Sequence, residues 1–137
     1  YCPQVVAATE NKQPYTPLAG IKVSNITISG TYSEDILKML LLRLSYAGLE
    51  TTHEPGYVLV GKVVVLPHRY NEVRLTIEAT GSFCTRNDLP YFALTGSVYL
   101  GDDDKMPGEF VYLLASQIVN DFTRQVQNRD LLYKKYN

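Results

Sequence analysis

The sequence predicts an α+β fold, a two-layer sandwich in which a four-stranded, mostly antiparallel sheet carries two helices on one face. Two segments place apolar residues at helical spacing, and four others show the alternation or the β-branched content of strands. The last three strand segments are joined by short turns, which favours an antiparallel meander. The predicted order is β-α-β-β-β-α within residues 20–127, between an extended leader at residues 1–19 and a polar, basic C-terminal tail at residues 128–137.

The first strand and the first helix follow each other closely. The segment IKVSNITISG is β-branched and apolar, and its alternation changes phase near Ser24–Asn25, which predicts a bulge. In the helix that follows, Thr31 and Glu34 have capping-box spacing, and Gly48 is a suitable stop. The predicted apolar face of this helix comprises Ile36, Leu37, Leu40, Leu41, Leu44 and Ala47. A right-handed crossover would set the first strand beside a parallel neighbour.

The next three strands differ in their patterns. YVLVGKVVVL is almost continuously apolar, which is typical of a strand buried on much of both faces. After the turn PHRYN, the segment EVRLTIEATGSF alternates, and its outward residues are Arg74, Thr76, Glu78 and Thr80. The turn TRNDLP leads to YFALTGSVYL, whose inward residues are Phe92, Leu94, Val98 and Leu100.

The second helix is predicted after the acidic loop GDDDKMPGEF. Pro107 suits a first helical turn, and acidic residues on either side favour a helix N-terminus. The apolar face at helical spacing comprises Val111, Leu114, Ala115, Ile118, Phe122 and Val126. The basic residues that follow favour a helix C-terminus.

Length and composition describe one folded domain. The 137 residues are enough to bury a core without metals or many disulfides. A formal net charge of −1 argues against broad electrostatic binding to nucleic acid. No apolar run approaches the roughly 18–20 residues that a membrane helix requires, so we expect any membrane association to use a lipid anchor.

The chain contains two cysteines, and three interpretations of them stay open. Cys2 and Cys84 could form a disulfide that ties the leader to the sheet. Cys2 could instead be the lipid-attachment cysteine of an exported lipoprotein, although Tyr1 before it is a poor fit to the small residue that such processing sites use. Both interpretations place the protein outside the cytoplasm. Two free thiols are the third interpretation.

Few residues suit catalysis, and we expect a protein that is not an enzyme. His53 and His68 fall at predicted loop and turn positions, without a recognisable nucleophile paired to either. The cysteines and histidines lack zinc-site spacing, and the run Asp102–Asp104 lacks the spacing and closing Glu of a calcium loop. We therefore expect no metal and no cofactor. A small secreted hydrolase that uses one of the histidines is the alternative from the enzyme class.

Three cations lie on or beside the hairpin of the second and third strands. Lys62, Arg69 and Arg74 have Glu72 as their one acidic neighbour there. Arginine suits phosphate because its planar fork makes paired hydrogen bonds. Tyrosines that could add amphipathic surface nearby are Tyr57, Tyr70 and Tyr99. The pattern indicates either ordinary charged decoration of a sheet or a surface that recognises an anionic partner.

From residue 20 to about residue 127 the pattern resembles the lipopolysaccharide-assembly lipoprotein family, the small subunit that plugs the outer-membrane translocon barrel. The likeness lies in IKVSNITISG leading into the first helix, in YVLVGKVVV, in VRLTIEATGSF, and in a long amphipathic helix after an acidic loop. Pro3 after Cys2 departs from the family pattern, and so does Cys84. The layout resembles TolB-N-like periplasmic lipoprotein domains and secretin-associated domains more weakly.

The resemblance implies a non-enzymatic lipoprotein at the periplasmic face or in the lumen of an outer-membrane barrel. Its partners would be that β-barrel protein, which it plugs or stabilises, and lipopolysaccharide during its assembly in the outer membrane. Basic residues on the family's sheet would meet the lipid's phosphates, which here implies Lys62 and Arg74, with Arg69 at the turn. The weaker resemblance implies a periplasmic adaptor or pilotin-like domain of a secretion or cell-wall complex that binds protein only.

Overall fold

The structure is a computed structural model that describes residues 16–53, 56–81, 91–102 and 105–136, apart from the side chains of Tyr91 and of residues 129–136. The described residues form five strands and two helices. In chain order these are β1 (Lys22–Gly30), α1 (Ser33–Tyr46), β2 (Glu50–Thr51), β3 (Tyr57–Leu66), β4 (Glu72–Gly81), β5 (Tyr91–Tyr99) and α2 (Gly108–Tyr136). A short 3₁₀ turn, Pro67–Arg69, follows β3.

The sheet is mixed, which corrects the predicted four-stranded, mostly antiparallel sheet. Its strand order is β2-β1-β3-β4-β5; β1 is parallel to β2 and to β3, whereas β3/β4 and β4/β5 are antiparallel. The additional strand is β2, where the N–H groups of Glu50 and Thr52 donate to the carbonyls of Ile21 and Val23. Two residues are too few to show alternation, so the sequence pattern did not distinguish β2 from a loop.

Strand β1 contains the predicted bulge and has the predicted parallel neighbour. Its register with β3 shifts between Val23 and Asn25, and the side chains that face the helices change from Val23 to Ile26 and Ile28. The strand ends at Gly30, whose φ is +104°. A Cβ there would lie 2.2 Å from the carbonyl oxygen of Val63, so only glycine fits this approach to β3.

The helix termini agree in part with the sequence. The capping box from Thr31 to Glu34 is wrong, because the N-cap is Tyr32, which has a φ of 62° and makes no side-chain capping hydrogen bond. The stop at Gly48 is confirmed: this residue follows the C-cap and has a φ of +97°. Helix α2 continues to Tyr136, through most of the segment predicted as a tail.

Both helices pack on one face of the sheet around a single core. Phe122 of α2 and Phe92 of β5 lie with ring centroids 5.1 Å apart. Leu18 is fully buried although it belongs to the predicted leader, and its N–H donates to the carbonyl of Ala47. The largest fully buried side chains are Phe92, Phe122, Leu18, Ile21, Ile36, Leu40, Leu44, Leu59, Leu75, Ile77, Leu94 and Leu114. Both described helices therefore lie on one face of the sheet, and no described helix packs on the other.

Candidate functional site

The face of the sheet opposite the helices is uncovered by any described residue, and we call it the open face. Its members include Asn25, Thr27 and Ser29 of β1, Val58, Val60, Lys62 and Val64 of β3, Glu72, Arg74, Thr76, Glu78 and Thr80 of β4, and Ala93, Thr95, Ser97 and Tyr99 of β5. The prediction that β3 is buried on much of both faces is wrong, because Val60 is 55% and Val64 is 38% exposed. With both helices on the other side, these valines meet solvent.

Lys62 lies near the centre of the open face. It is exposed, and its register neighbours are Ser29 of β1 and Thr76 of β4. Val60 and Val64 precede and follow it on the same face. Among the described residues no carboxylate lies within ion-pair distance of its ammonium group. Lys62 is thus a cation between two valines, with Glu78 as a diagonal neighbour on β4 opposite Val60, and no ion pair among the described residues holds its charge.

Arg74 is a diagonal neighbour of Lys62: Lys62 pairs with Thr76, and Arg74 is the next residue of β4 on the same face. Such diagonal neighbours are about 7–8 Å apart at the backbone, within reach of two long side chains. The Nε of Arg74 donates to Glu72 Oε2 at 2.8 Å, where the arginine side chain is 40% exposed and the glutamate 3%. The sequence interpretation placed Arg74 outward, which is confirmed, but missed that Glu72 would hold it. The contact uses Nε, so the Nη groups of the guanidinium are the donors left for another acceptor.

Arg69 is separate from the other two cations. It ends the 3₁₀ turn beyond β3 and is exposed, whereas Lys62 lies four residues before the end of that strand, or about 13–14 Å along it. In the residues that follow, Tyr70 and Asn71 both have positive φ, and Asn71 Nδ2 donates to the carbonyl of Gly101 at 2.6 Å. The structure therefore brings Lys62 and Arg74 together and places Arg69 at the rim of the open face.

The three predicted tyrosines divide between the core and the surface. Tyr57 is buried and packs against Phe92 with ring centroids 5.7 Å apart, so its assignment to a binding surface is wrong. Tyr99 is 56% exposed on the open face, opposite Glu72 in register. Tyr70 is exposed beside Arg69, at the end of the 3₁₀ turn. Two amphipathic rings therefore stand at the end of the sheet that carries Arg74 and Arg69.

The cysteines and histidines singled out in the sequence add nothing to the open face. Cys2 and Cys84 lie outside the described residues, so their pairing or lipid attachment stays a prediction. His53, in the loop after β2, and His68, in the 3₁₀ turn, are both exposed. Within the described ranges, no group of three or more His, Cys, Asp and Glu could hold a metal ion, and no helix is long and apolar enough to cross a membrane.

Helix α2 closes the edge of β5 with polar side chains that the sequence interpretation missed. Gln117 Oε1 accepts the N–H of Ser97 and Gln117 Nε2 donates to the Ser97 carbonyl, both at 2.9 Å. Asp121 Oδ2 accepts the N–H of Thr95 at 3.2 Å, and Gln125 Nε2 donates to the carbonyl of Ala93 at 2.9 Å. The detectable signal was the spacing of four residues between three polar side chains on one helix face. Four outer backbone groups of β5 are thereby satisfied without a further strand: the N–H and carbonyl of Ser97, the N–H of Thr95 and the carbonyl of Ala93.

The helix layer also exposes apolar side chains. These are Leu41, Leu42 and Tyr46 of α1 and Tyr112 and Leu113 of α2. The guanidinium carbon of Arg43 lies 4.9 Å from the centroid of the Tyr112 ring, which is a cation–π geometry across the two helices. This surface differs from the open face because its cation Arg43 is already held by an aromatic ring.

Comparison with known proteins yields a structural similarity only. No family model matches the chain, and no curated protein matches it. Among solved structures the chain is similar to a minor lipoprotein from Acinetobacter baumannii, with 17% sequence identity and a TM-score of 0.39 over 88% of this chain and 94% of that one. At this overlap the resemblance to the lipopolysaccharide-assembly family stays a prediction, and a function must be argued from the side chains of this chain.

Proposed function

We propose that this protein is a non-enzymatic lipoprotein of the outer membrane that contacts lipopolysaccharide through the open face of its sheet. In this proposal it sits at the periplasmic face or in the lumen of an outer-membrane β-barrel, which it plugs or stabilises. The single observation that supports the lipid contact is Lys62, which is exposed between Val60 and Val64 without an acidic partner among the described residues.

The chemistry of the open face suits an anionic amphiphile. A phosphate would accept hydrogen bonds from the Lys62 ammonium and from the Nη groups of Arg74, two cations that lie diagonally on adjacent strands. The valines beside Lys62 would contact the apolar part of the same molecule, and Tyr99 would present an aromatic ring with a polar tip. Free phosphate has no apolar part that could contact these valines, so a lipid phosphate fits this surface better.

In this proposal Glu72 sets the orientation and the effective charge of Arg74. Its buried carboxylate holds Nε of Arg74 and so fixes the direction of the guanidinium while offsetting part of its charge. An incoming phosphate on the Nη groups would be repelled by that carboxylate, which lies on the Nε of the same guanidinium. Removing the negative charge at this position should therefore strengthen binding, whereas removing Arg74 should weaken it.

Direct binding measurements with charge variants test the proposal. The double variant Lys62→Glu/Arg69→Glu should bind lipopolysaccharide at least about tenfold more weakly, since each Lys or Arg near an anionic lipid surface contributes about 1 kcal/mol. Arg74→Gln should also weaken binding, and Glu72→Gln should strengthen it. Titration of fluorescent lipopolysaccharide at two salt concentrations would measure all three changes.

The matched control is Lys38→Glu/Lys105→Glu, which makes the same change of net charge at exposed lysines of the helix side. The proposal expects this control to bind like the wild type, and both double variants to keep the wild-type melting temperature. Equal weakening by both double variants would mean a general charge effect and would contradict the proposal. Unchanged binding by the first double variant would leave Lys62 and Arg69 as surface decoration.

A second candidate function is a periplasmic adaptor that binds protein only. The exposed apolar residues of the helix layer favour it, because such a surface suits a protein partner better than a phosphate. Affinity capture of the full-length protein from its native envelope would separate the two. Recovery of a β-barrel at about one-to-one supports the first proposal, and recovery of a secretin or a cell-wall enzyme supports the second.

A further inference from the structure

No described strand pairs with the outer edge of β1 over residues 25–30. Strand β2 pairs only with Lys22 and Val23, so it covers the beginning of this edge and then leaves it. Beyond the bulge, β1 pairs with β3 alone, and the described residues make no hydrogen bond to its outer side. A row of backbone donors and acceptors at a sheet edge is a template for another strand.

The side chains of this edge do nothing to discourage pairing. Residues 25–30, NITISG, contain neither charge nor proline, the two devices that most often block an edge. Ile26 and Ile28 are only half-buried on the face that carries the helices, and Leu41 is exposed on α1. Leu41 lies on the flank of α1 away from α2, because Leu42 and Arg43, one and two residues later, turn toward α2. An apolar strip therefore runs beside the open backbone.

The sequence of the edge is complementary to itself. If two copies align antiparallel with Thr27 opposite Thr27, then Ile26 lies opposite Ile28 twice on the helix face, and Asn25 lies opposite Ser29 on the open face. Every pair therefore joins two apolar or two polar side chains, and none joins two charged ones. A twofold contact of this kind uses one patch on both partners.

The hydrogen-bond alternation fits the same register. Before the bulge, the carbonyls of Ile21 and Val23 point outward to β2. Because the bulge shifts the alternation by one residue, we expect the outward groups beyond it to belong to Ile26 and Ile28. These are the residues that the register centred on Thr27 places opposite each other, so each pair can exchange two backbone hydrogen bonds.

We propose that a second copy of this chain pairs with the outer edge of β1, antiparallel and centred on Thr27, to form one ten-stranded sheet. The two open faces then lie side by side on one surface, and the two Leu41 flanks approach across the twofold axis. The pairing involves none of Lys62, Arg69 and Arg74, so it can be tested independently of the proposed lipid contact. It spans about five residues per copy, which predicts a weak dimer with a Kd of about 10 μM to 1 mM.

Sedimentation equilibrium over that concentration range tests the pairing with a matched pair of variants. Thr27→Lys places two ammonium groups opposite each other in the dimer and should raise the Kd at least about tenfold. Thr95→Lys makes the same substitution at an exposed threonine of the open face on the other edge strand, β5, and should leave the Kd unchanged. Circular dichroism of both variants verifies that they are folded.

A covalent trap fixes the register independently of the lysine variants. Opposing residues of a non-hydrogen-bonded antiparallel pair lie about 4.5 Å apart at Cα, within the range of a disulfide. In a background with Cys2→Ser and Cys84→Ser, Thr27→Cys should form a disulfide-linked dimer under mild oxidation, and Thr95→Cys should not. A wild-type chain that stays monomeric to 1 mM overturns the proposal. A dimer that is indifferent to Thr27→Lys, or that does not crosslink at Thr27→Cys, overturns it too.

Discussion

The two faces of the sheet use the same strands for different purposes. On β3 the residues toward the helices, Leu59 and Val63, are buried, whereas Val60, Lys62 and Val64 between and beside them meet solvent. The buried set is constrained by packing, because its shape must match both helices. The open set is free of that constraint, so its side chains can be changed without rebuilding the core. This difference predicts a graded response of stability to substitution.

The largest effect is expected on the helix face. Phe122→Ala should lower the free energy of unfolding by about 3–5 kcal/mol, because it removes a fully buried ring that packs against Phe92 and leaves a cavity. Urea unfolding followed by circular dichroism measures the change. Val60→Ala on the open face is the comparison and should cost less than about 1 kcal/mol. Similar losses from both variants would mean that the open face is packed against something in solution.

A smaller effect is expected where α2 meets the edge of β5. Gln117→Ala should lower the free energy of unfolding by about 1 kcal/mol, because two hydrogen bonds to Ser97 are lost while water can replace them at this exposed position. Asn120→Ala, at an exposed position of the same helix without a recorded bond to β5, is the control. A Gln117 variant as stable as that control would show that the edge contacts add nothing to folding.

The smallest effect is expected at the centre of the open face. Lys62→Glu should change the free energy of unfolding by less than about 0.5 kcal/mol, since the side chain is exposed and has no ion pair among the described residues. Thermal unfolding of this variant beside the wild type measures it. A drop of several degrees would show that Lys62 supports the fold, and any loss of lipid binding could then no longer be assigned to the contact itself.

Sequence pattern predicted most of the fold, because periodicity reports which side chains are buried. The bulge near Ser24–Asn25, the inward face of β4 and the end of α1 at Gly48 all follow from local alternation or backbone preference. Strand β2 was not predicted, because two residues are too few to show an alternation of buried and exposed side chains. The exposure of Val60 escaped because an apolar residue does not reveal that both helices lie on the other side of its strand.

The candidate site was predictable by residue type but not by arrangement. Lys62 and Arg74 were identified as cations on adjacent strands, and the register shows that they are diagonal neighbours. The ion pair between Arg74 and Glu72 depends on burial at the end of β4, which the sequence does not express. Arg69 looked equivalent to the other two in sequence, yet the turn that holds it lies beyond the end of the sheet.

The side chains that fasten α2 to β5 also determine how this protein moves. The amide hydrogens of Thr95 and Ser97 bond to a helix and not to a neighbouring strand, so their exchange with solvent should follow the detachment of α2. When the helix lifts, the same event uncovers the outer backbone of β5 and the ring of Phe92 beneath it. Local opening and exposure of an unpaired strand edge are thus one step, which is opposed by the three polar contacts together with the buried apolar face of α2.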